Sequence, residues 1–450
     1  MRHIKQVLVG LLALVSLLWV AAEPGVFQSA GFFAIRAVAV QYTGVLAIAL
    51  MSVAMMLALR PRWPERWMGG LDKMYRLHKW LGITALIVAI IHWLWTQGPK
   101  WAVGWGLLER PARGDRPPIE NQVEAAFSSL RGTAEGVGEW AFYAVVALIA
   151  LALVRAFPYR WFYKTHRLLA LAYLVLMFHS VVLLTFADWM TPLGAAMAVL
   201  LAGGTFSAGV VLLRRVGAAR QVKGRIAELT YYPGVKALET VIDVPAGWPG
   251  HRPGQFAFAM SDASEGAHPY TIASGWHPDH PRITFVTKEL GDHTRGLKER
   301  LKVGQEVRVE GPYGCFTFDD DCRSQIWIGG GIGITPFIAR MKHMALRGEA
   351  PDWPQGQVAD LFHTTSDVDE VALAKLAEDA RAAQVQLHLL IDARDGRLTG
   401  ARIREAVPDW REASIWFCGP ASFGAALRAD FATEGFPVDK RFHQELFDMR

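Results

Sequence analysis

The chain has 450 residues, 52% of them apolar and 20% charged, and a net charge of +5 from 47 basic and 42 acidic side chains. That balance excludes a uniformly soluble protein, and the basic excess does not point to nucleic acid, because Lys and Arg gather beside the ends of apolar runs and no basic–aromatic module is visible. Three cysteines, Cys315, Cys322 and Cys418, form no CxxC pair and no even framework, which argues against disulfides and iron–sulfur ligation and fits a reducing compartment.

Six apolar segments come first: Val7–Ala22, Ala34–Leu59, His78–Gln97, Trp140–Phe157, His166–Phe186 and Pro192–Leu213. Most reach the ~20 residues that cross a hydrocarbon core as helix. The first, preceded by Arg2 and Lys5 and ending in Ala21-Ala22, reads either as a span or as a cleaved signal peptide. Basic residues fill the loop holding Arg60, Arg62, Arg66, Lys73, Arg76 and Lys79, the loop holding Arg155, Arg160, Lys164 and Arg167, and the stretch Arg214, Arg215, Arg220 and Lys223. All three fall on one side of a six-helix arrangement, which makes that side cytoplasmic. The segment Gly98–Gly138 mixes acidic and basic residues and is expected as a long loop on the other side.

Two of these spans each carry two histidines: His78 and His92, fourteen residues apart, and His166 and His179, thirteen apart. Polar side chains inside a membrane are costly, and two pairs at nearly equal spacing on two parallel helices point to haem ligation rather than to packing. Neutral imidazole ligates iron, and bis-histidine ligation suits electron transfer because it needs no open site. Fourteen residues of helix rise about 21 Å, so two haems at two depths are expected, with His78 and His166 at the inner one and His92 and His179 at the outer one. Steps of about 100° put His92 near the His78 face but leave His179 about 140° from His166. The fifth helix is therefore expected to be overwound locally, or to begin at His166. Arg36, near the outer end of the second span, reads either as an interfacial snorkelling side chain or as a cation near the outer haem propionates or a reduced acceptor.

After Gly224 short strands alternate with Gly and Pro turns to about Phe318, as in a small antiparallel barrel. This stretch contains Pro253-Gly-Gln-Phe256 and His268-Pro-Tyr-Thr-Ile-Ala-Ser274. Lys288 and Gly291-Asp-His-Thr294 offer a cation, backbone N–H groups and a hydroxyl suited to a pyrophosphate. Ser324–Pro336 reads as strand, glycine loop and helix start, with Gly330, Gly331 and Gly333 in the loop and Pro336 in the first helical turn. Later strands at Val358–Phe362, Gln386–Ile391 and Ser414–Phe417 make a parallel nucleotide-binding fold. The last of these runs into Cys418-Gly-Pro420 at the carboxyl edge of the sheet. Acidic residues in the run after the second strand, His363–Glu370, disfavour a 2′-phosphate and lean the reading toward NADH, a lean that Arg394 and Arg397 could reverse.

Together these motifs resemble the ferric reductase / NADPH oxidase family of transmembrane flavocytochromes, over nearly the whole chain from about Ala34. The resemblance implies a six-helix transmembrane bundle with two haems b, then a ferredoxin-reductase-like module made of an antiparallel β-barrel FAD domain and an α/β parallel-sheet nucleotide domain. The boundaries expected are 1–216, 217–320 and 321–450. It implies that Tyr270 of His268-Pro269-Tyr270-Thr271-Ile272 lies against the flavin and that Thr271 bonds near its reactive nitrogen. Lys288 and Thr294 would meet the FAD pyrophosphate. Gly330, Gly331, Gly333, Thr335 and Pro336 would hold the NADH or NADPH phosphates, and Cys418, Gly419 and Pro420 would lie near nicotinamide. Phe447 matches the family's C-terminal aromatic, although Asp448-Met-Arg450 follow it here. Arg36 matches an arginine near the outer haem of the oxidases. Those enzymes often carry another histidine one turn past the outer ligand, where this chain has Thr96, which weakens an oxygen-reducing reading.

The implied activity is transfer of electrons from cytoplasmic NAD(P)H through FAD and two haems to an acceptor outside, in a bacterial-type inner membrane. The partners expected are the lipid bilayer and a small electron acceptor, a ferric chelate or oxygen. Alternatives are a superoxide-producing oxidase, an electron donor to a periplasmic redox protein, and a non-enzymatic haem sensor or scaffold. The soluble half argues against the last.

Overall fold

The structure is a computed structural model, and it describes residues 2–28, 31–109, 119–154, 156–245, 247–262, 265–346 and 358–445. Phe447 lies outside the described residues. Two compact units are present, one built from Met1–Pro64 and Lys73–Val216, the other from Glu65–Asp72 and Gly217–Asp448.

Six helices among the described residues are long and apolar enough to cross a membrane. They are α1 (Arg2–Ala22), α2 (Phe32–Leu57), α4 (Leu71–Gly104), α5 (Gln122–Leu153), a fifth span made of α6 (Tyr159–His166) and α7 (Leu168–Leu183), and α8 (Pro192–Leu212), with a short α3 (Arg62–Met68) before α4. The chain is a multi-pass membrane protein. The expected loop Gly98–Gly138 is corrected by two of these helices: α4 runs on past Pro99 to Gly104, and α5 starts at Gln122. Asn121 caps α5 by accepting from the Val123 and Glu124 amides, which satisfies two otherwise orphaned donors. The departure from a straight fifth helix is present as a break. The helical ladder lapses at Arg167 between α6 and α7, so His166 ends one helix and His179 belongs to the next. Close packing of α2, α7 and α8 rests on small residues and polar contacts. Fully buried Tyr173 shares a 2.9 Å hydrogen bond with Ser52, and a Cβ on Gly204 would meet the Tyr173 hydroxyl at 2.0 Å.

The second unit opens with six strands: β1 (Gln221–Tyr232), β2 (Ala237–Asp243), β3 (Phe256–Met260), β4 (His268–Thr271), β5 (Arg282–Lys288) and β6 (Glu306–Tyr313). They pair antiparallel in the order β4-β3-β6-β1-β2-β5, and a bridge between Ile272 and Phe285 joins the two ends into a barrel. Inward side chains such as Ile226, Ile242, Ala257, Ile272, Ile283 and Val309 fill it. Short helices α9 (Asp292–Arg295) and α10 (Leu297–Arg300) cross from β5 to β6.

His251 is buried against this barrel as a neutral ring. Its Nδ1 accepts from Trp248 Nε1 at 3.3 Å and its Nε2 donates to the Ser274 carbonyl at 3.0 Å. Burial pushes its pKa down to about 4, against the bond to Ser274, which works upward. With the folded value below the ordinary 6.5, the unfolded chain takes up the proton first. The stability is therefore whole above about pH 6.5 and is lost as pH falls toward 4, by about 3 kcal/mol in all. Thermal unfolding of the full chain in detergent at pH 7 and pH 4.5 should show this loss, and His251→Gln should flatten that part of the pH dependence.

The remaining strands are β7 (Ser324–Gly330), β8 (Val358–Thr365), β9 (Gln386–Ile391), β10 (Ser414–Cys418) and β11 (Phe442–Gln444), all parallel in the order β11-β10-β7-β8-β9. Alternate residues of the central strands face opposite layers. Trp327 and Trp416 pack under α11 (Thr335–Leu346) and α12 (Glu370–Ala382). Ile326, Ile328, Ile415 and Phe417 pack on α14 (Gly400–Ala406) and α15 (Ala421–Thr433). A one-turn α13 (Asp392–Asp395) follows β9, and α16 (Val438–Arg441) precedes β11. Helices on both faces make a doubly wound sheet. Its strand order reverses between β7 and β10, and that is where such sheets open a crevice for ligands.

Candidate functional sites

In the membrane unit the four histidines meet as two pairs. The rings of His78 and His166 lie 5.9 Å apart between centres, and those of His92 and His179 lie 6.4 Å apart. Three of the four are anchored through Nδ1 to main-chain carbonyls of neighbouring helices. His78 bonds Ala54 at 2.9 Å, His92 bonds Val40 at 3.0 Å, and His179 bonds Ala134 at 2.8 Å. A carbonyl can only accept, so each Nδ1 carries the proton and each Nε2 keeps its lone pair, the tautomer a metal needs. Thr43 Oγ1 stands 3.1 Å from the His92 Nδ1 as well. The His166 Nδ1 is buried with no hydrogen-bond partner among the described residues, and its ring stacks on Phe162 at 4.9 Å. Metal–imidazole bonds run at about 2 Å, so two rings facing one metal sit about 6 Å apart between centres, the separation found in both pairs.

Glycines make room for these rings, a feature the sequence reading missed. A Cβ on Gly138 would meet the His179 Nδ1 at 2.0 Å, and one on Gly44 would stand 3.2 Å from the His92 Cε1. Arg36 lies one helical turn before Val40, and its Nε donates to the Trp95 carbonyl at 3.2 Å, three residues past His92. The cation thus sits at the His92–His179 level of the bundle.

In the second unit, β4 carries His268, Pro269, Tyr270 and Thr271 opposite Ala259, Phe258, Ala257 and Phe256 of β3, and Ile272 is fully buried at the barrel seam. Behind Tyr270 is a polar chain that the sequence reading did not find. The Tyr270 hydroxyl meets the His293 Nε2 at 2.9 Å, the His293 Nδ1 meets Glu265, and Arg300 donates to Glu265 at 2.6 Å. His268 stacks on His293 at 3.6 Å. Burial, then the neighbouring His293, pushes the His268 pKa down to about 4. Burial works to raise the Glu265 carboxyl, but the bonds and charges of His293 and Arg300 outweigh it and hold it low.

Lys288 ends β5 and donates to Asp367 at 2.5 Å. Thr294 spends its hydroxyl on the Leu290 and Gly291 amides, at 2.9 and 3.1 Å. Asp367 and Asp369, two of the acids that lean the sequence toward NADH, are therefore engaged. The first holds Lys288, and the second caps α12 and accepts from the Gly234 amide at 2.9 Å.

At the switch point of the sheet the remaining residues come together. Gly330, Gly331 and Gly333 leave the end of β7, Thr335 and Pro336 open α11, and Cys418, Gly419 and Pro420 leave β10 beside them. The approach is close enough to require glycine: a Cβ on Gly333 would meet the Cys418 carbonyl oxygen at 2.2 Å, and one on Gly330 would meet Pro420 at 3.0 Å. Gly331 adopts φ +56°, the left-handed region open to glycine. Burial raises the Cys418 thiol well above its usual range, and Glu445, itself buried, adds to the rise. That thiol stays protonated at neutral pH and is no nucleophile. His363 on β8 is buried beneath the loop, its Nδ1 bonded to the Gly329 carbonyl at 3.0 Å, and burial lowers its pKa.

Residues 43–177 match the family described as ferric reductase like transmembrane component. The propane 2-monooxygenase reductase component of Rhodococcus jostii is 26% identical over 220 residues, 45% of this chain and 56% of the relative. The NADPH oxidoreductase of Mycobacterium tuberculosis is 32% identical over 174 residues, 37% of this chain and 43% of the relative. The chain spans about half the length of the curated relatives it matches. Among solved structures, the cytochrome P450 reductase of Amycolatopsis aligns with 51% of this chain and 70% of its own, at 21% identity and a TM-score of 0.43. Beside the six spans, the antiparallel barrel and the parallel sheet, residues 43–177 are thus similar to a ferric reductase like transmembrane component, and a further part of the chain is similar to the two relatives named.

Proposed function

We propose that this chain is an NAD(P)H-dependent oxidoreductase that carries electrons across a bacterial inner membrane to an extracytoplasmic acceptor, of ferric-reductase type. The observation that carries this reading is the pair of facing imidazole pairs, with three of the four rings anchored to carbonyls in the metal-binding tautomer. His78 with His166 would hold the inner haem b, and His92 with His179 the outer, with Arg36 beside it. In the barrel, His268, Pro269, Tyr270, Thr271 and Ile272 would line the flavin, and Lys288 and Thr294 would take its pyrophosphate once released from their present partners. Gly330, Gly331, Gly333, Thr335 and Pro336 would receive the pyridine-nucleotide phosphates on loop amides and a helix start, with Cys418, Gly419, Pro420 and Phe447 near nicotinamide and flavin. The functional division is 1–216, 217–320 and 321–450, with the last two parts cytoplasmic, a placement that the basic loops support.

When bound, FAD would supply acceptance of one hydride, that is two electrons with a proton, and the haems would supply relay of single electrons. The chain's own work is to position and to insulate. The glycine contacts leave loop amides able to meet the phosphates, buried Cys418 stays uncharged near nicotinamide, and the carbonyl anchors hold three of the four imidazoles at two levels of a low-dielectric core.

A reduced-minus-oxidised spectrum of membranes containing the protein, without oxygen and with NADH or NADPH as sole reductant, tests this. A haem b signal that appears on adding nucleotide is expected, and admitting air and then a ferric chelate ranks the acceptors by reoxidation rate. No haem signal even with dithionite would sink the proposal for the membrane unit.

A further inference from the structure

The bundle has an acceptor-sized cleft beside the His92 pair, with a volume of about 410 Å³. That lies within the range of small-molecule sites. It lies between the start of α2 and the far end of α4, walled by Phe32, Leu94, Trp95, Gly98, Pro99 and Ala102. Among the described residues no charged side chain lines it. A ferric chelate, which is charged and strongly hydrated, would lose its water there with nothing in exchange. A ligand that dissolves in the bilayer loses little.

Two observations tie the cleft to the electron path. On an α-helix Trp95 and Pro99 fall about 60° and 20° from His92 while Leu94, Gly98 and Ala102 fall about 80–160° away, so the α4 wall of the cleft lies to one side of the histidine and borders its face through Trp95 and Pro99. Phe32 packs on Trp95 with ring centres 6.3 Å apart, and Arg36, one turn further along α2, donates its Nε to the Trp95 carbonyl at 3.2 Å. Arginine carries five donors in a planar fork. The bond to Trp95 uses one; Arg36 is not itself a wall of the cleft, but it bonds a residue that is, and its remaining N–H groups are suited to a carbonyl oxygen.

We infer that this cleft binds a lipid-soluble quinone as an electron acceptor, ring toward Arg36 and Trp95 and tail toward the bilayer. This rests on the transmembrane electron-transfer reading above and adds an acceptor class to it. The reaction balances as NADH giving NAD⁺, one proton and two electrons on one side, and the quinone taking those two electrons and two protons from water to become the quinol on the other.

Gly98 supplies the test, because a Cβ there has nothing within 4 Å. Gly98 also lines the cleft, so a larger side chain can start there without a clash at its Cβ and take up cleft space. Full-length protein in nanodiscs, labelled with an azido-benzoquinone and mapped by mass spectrometry, should carry the label between residues 91 and 108, and decyl-benzoquinone should compete it away. Gly98→Leu should cut that labelling at least tenfold and raise the half-saturating quinone concentration for haem reoxidation by a similar factor. Gly98→Ala should do much less. Reduction of ferric citrate should be unchanged in both. Label spread over the lipid-facing surface, label that quinone does not displace, or a Gly98→Leu protein that handles quinone like the parent would each overturn the inference. The labelling arm needs no electron flow, so failure of the underlying reading shows separately, as absence of haem reduction by NADH.

Discussion

Replacing His92 by alanine is expected to halve the haem content of the purified protein and to slow NADH-driven electron transfer to any external acceptor by about 100-fold or more, since even loss of a supporting shell costs about 10–100-fold at metal sites. The geometry predicts this asymmetry. His92 faces only His179, at 6.4 Å between ring centres, while His78 and His166 form their own pair at 5.9 Å. The variant should keep the inner haem, still reduced by nucleotide, with nowhere for the electron to go. Pyridine haemochrome content and the reduced spectrum of His92→Ala, set beside those of His78→Ala, would check it. Total loss of both haems in either variant would mean that the pairs are not independent.

A residue with no ligating side chain should come close to the same effect. Gly138→Val on α5 is expected to remove the outer haem or to weaken its retention by about 10–100-fold. A Cβ there falls 2.0 Å from the His179 Nδ1, and the ring can only escape by giving up its 2.8 Å bond to the Ala134 carbonyl. Gly136, two residues earlier on the same helix, faces open space, and a Cβ added there would have no neighbour within 4 Å. Gly136→Ala should therefore be silent or stabilise by up to about 1 kcal/mol through helix propensity. Haem content and thermal unfolding of the two variants separate a steric requirement at one glycine from a general tolerance of the helix.

The legible parts of this protein were those written locally. The six apolar runs, the glycine loop ahead of Thr335 and the turn after β10 each declare themselves within about twenty residues, and the histidine spacing carried the pairing. Gly98–Gly138 misled because charge was read as loop. Glu124, Arg131 and Glu135 interrupt the hydropathy, yet Arg131 and Glu135 pair at helical spacing, and Asn121 supplies a cap. The polar chain behind Tyr270 and the buried Glu445 near Cys418 join residues 23 to 35 and 27 positions apart. No periodicity records such contacts, because they follow from how loops close over the barrel and the sheet.

The carbonyl anchors have one more implication. Val40 and Ala54 are fourteen residues apart on α2, and the histidines they hold, His92 and His78, are fourteen apart on α4. Because the acceptors belong to the main chain, side-chain drift at Val40, Ala54 or Ala134 leaves them in place, and these positions should evolve freely among residues that pack. What cannot drift is length. One residue gained or lost between Val40 and Ala54 turns one anchor by about 100° relative to the other, so selection at this site acts on insertions and deletions more than on substitutions.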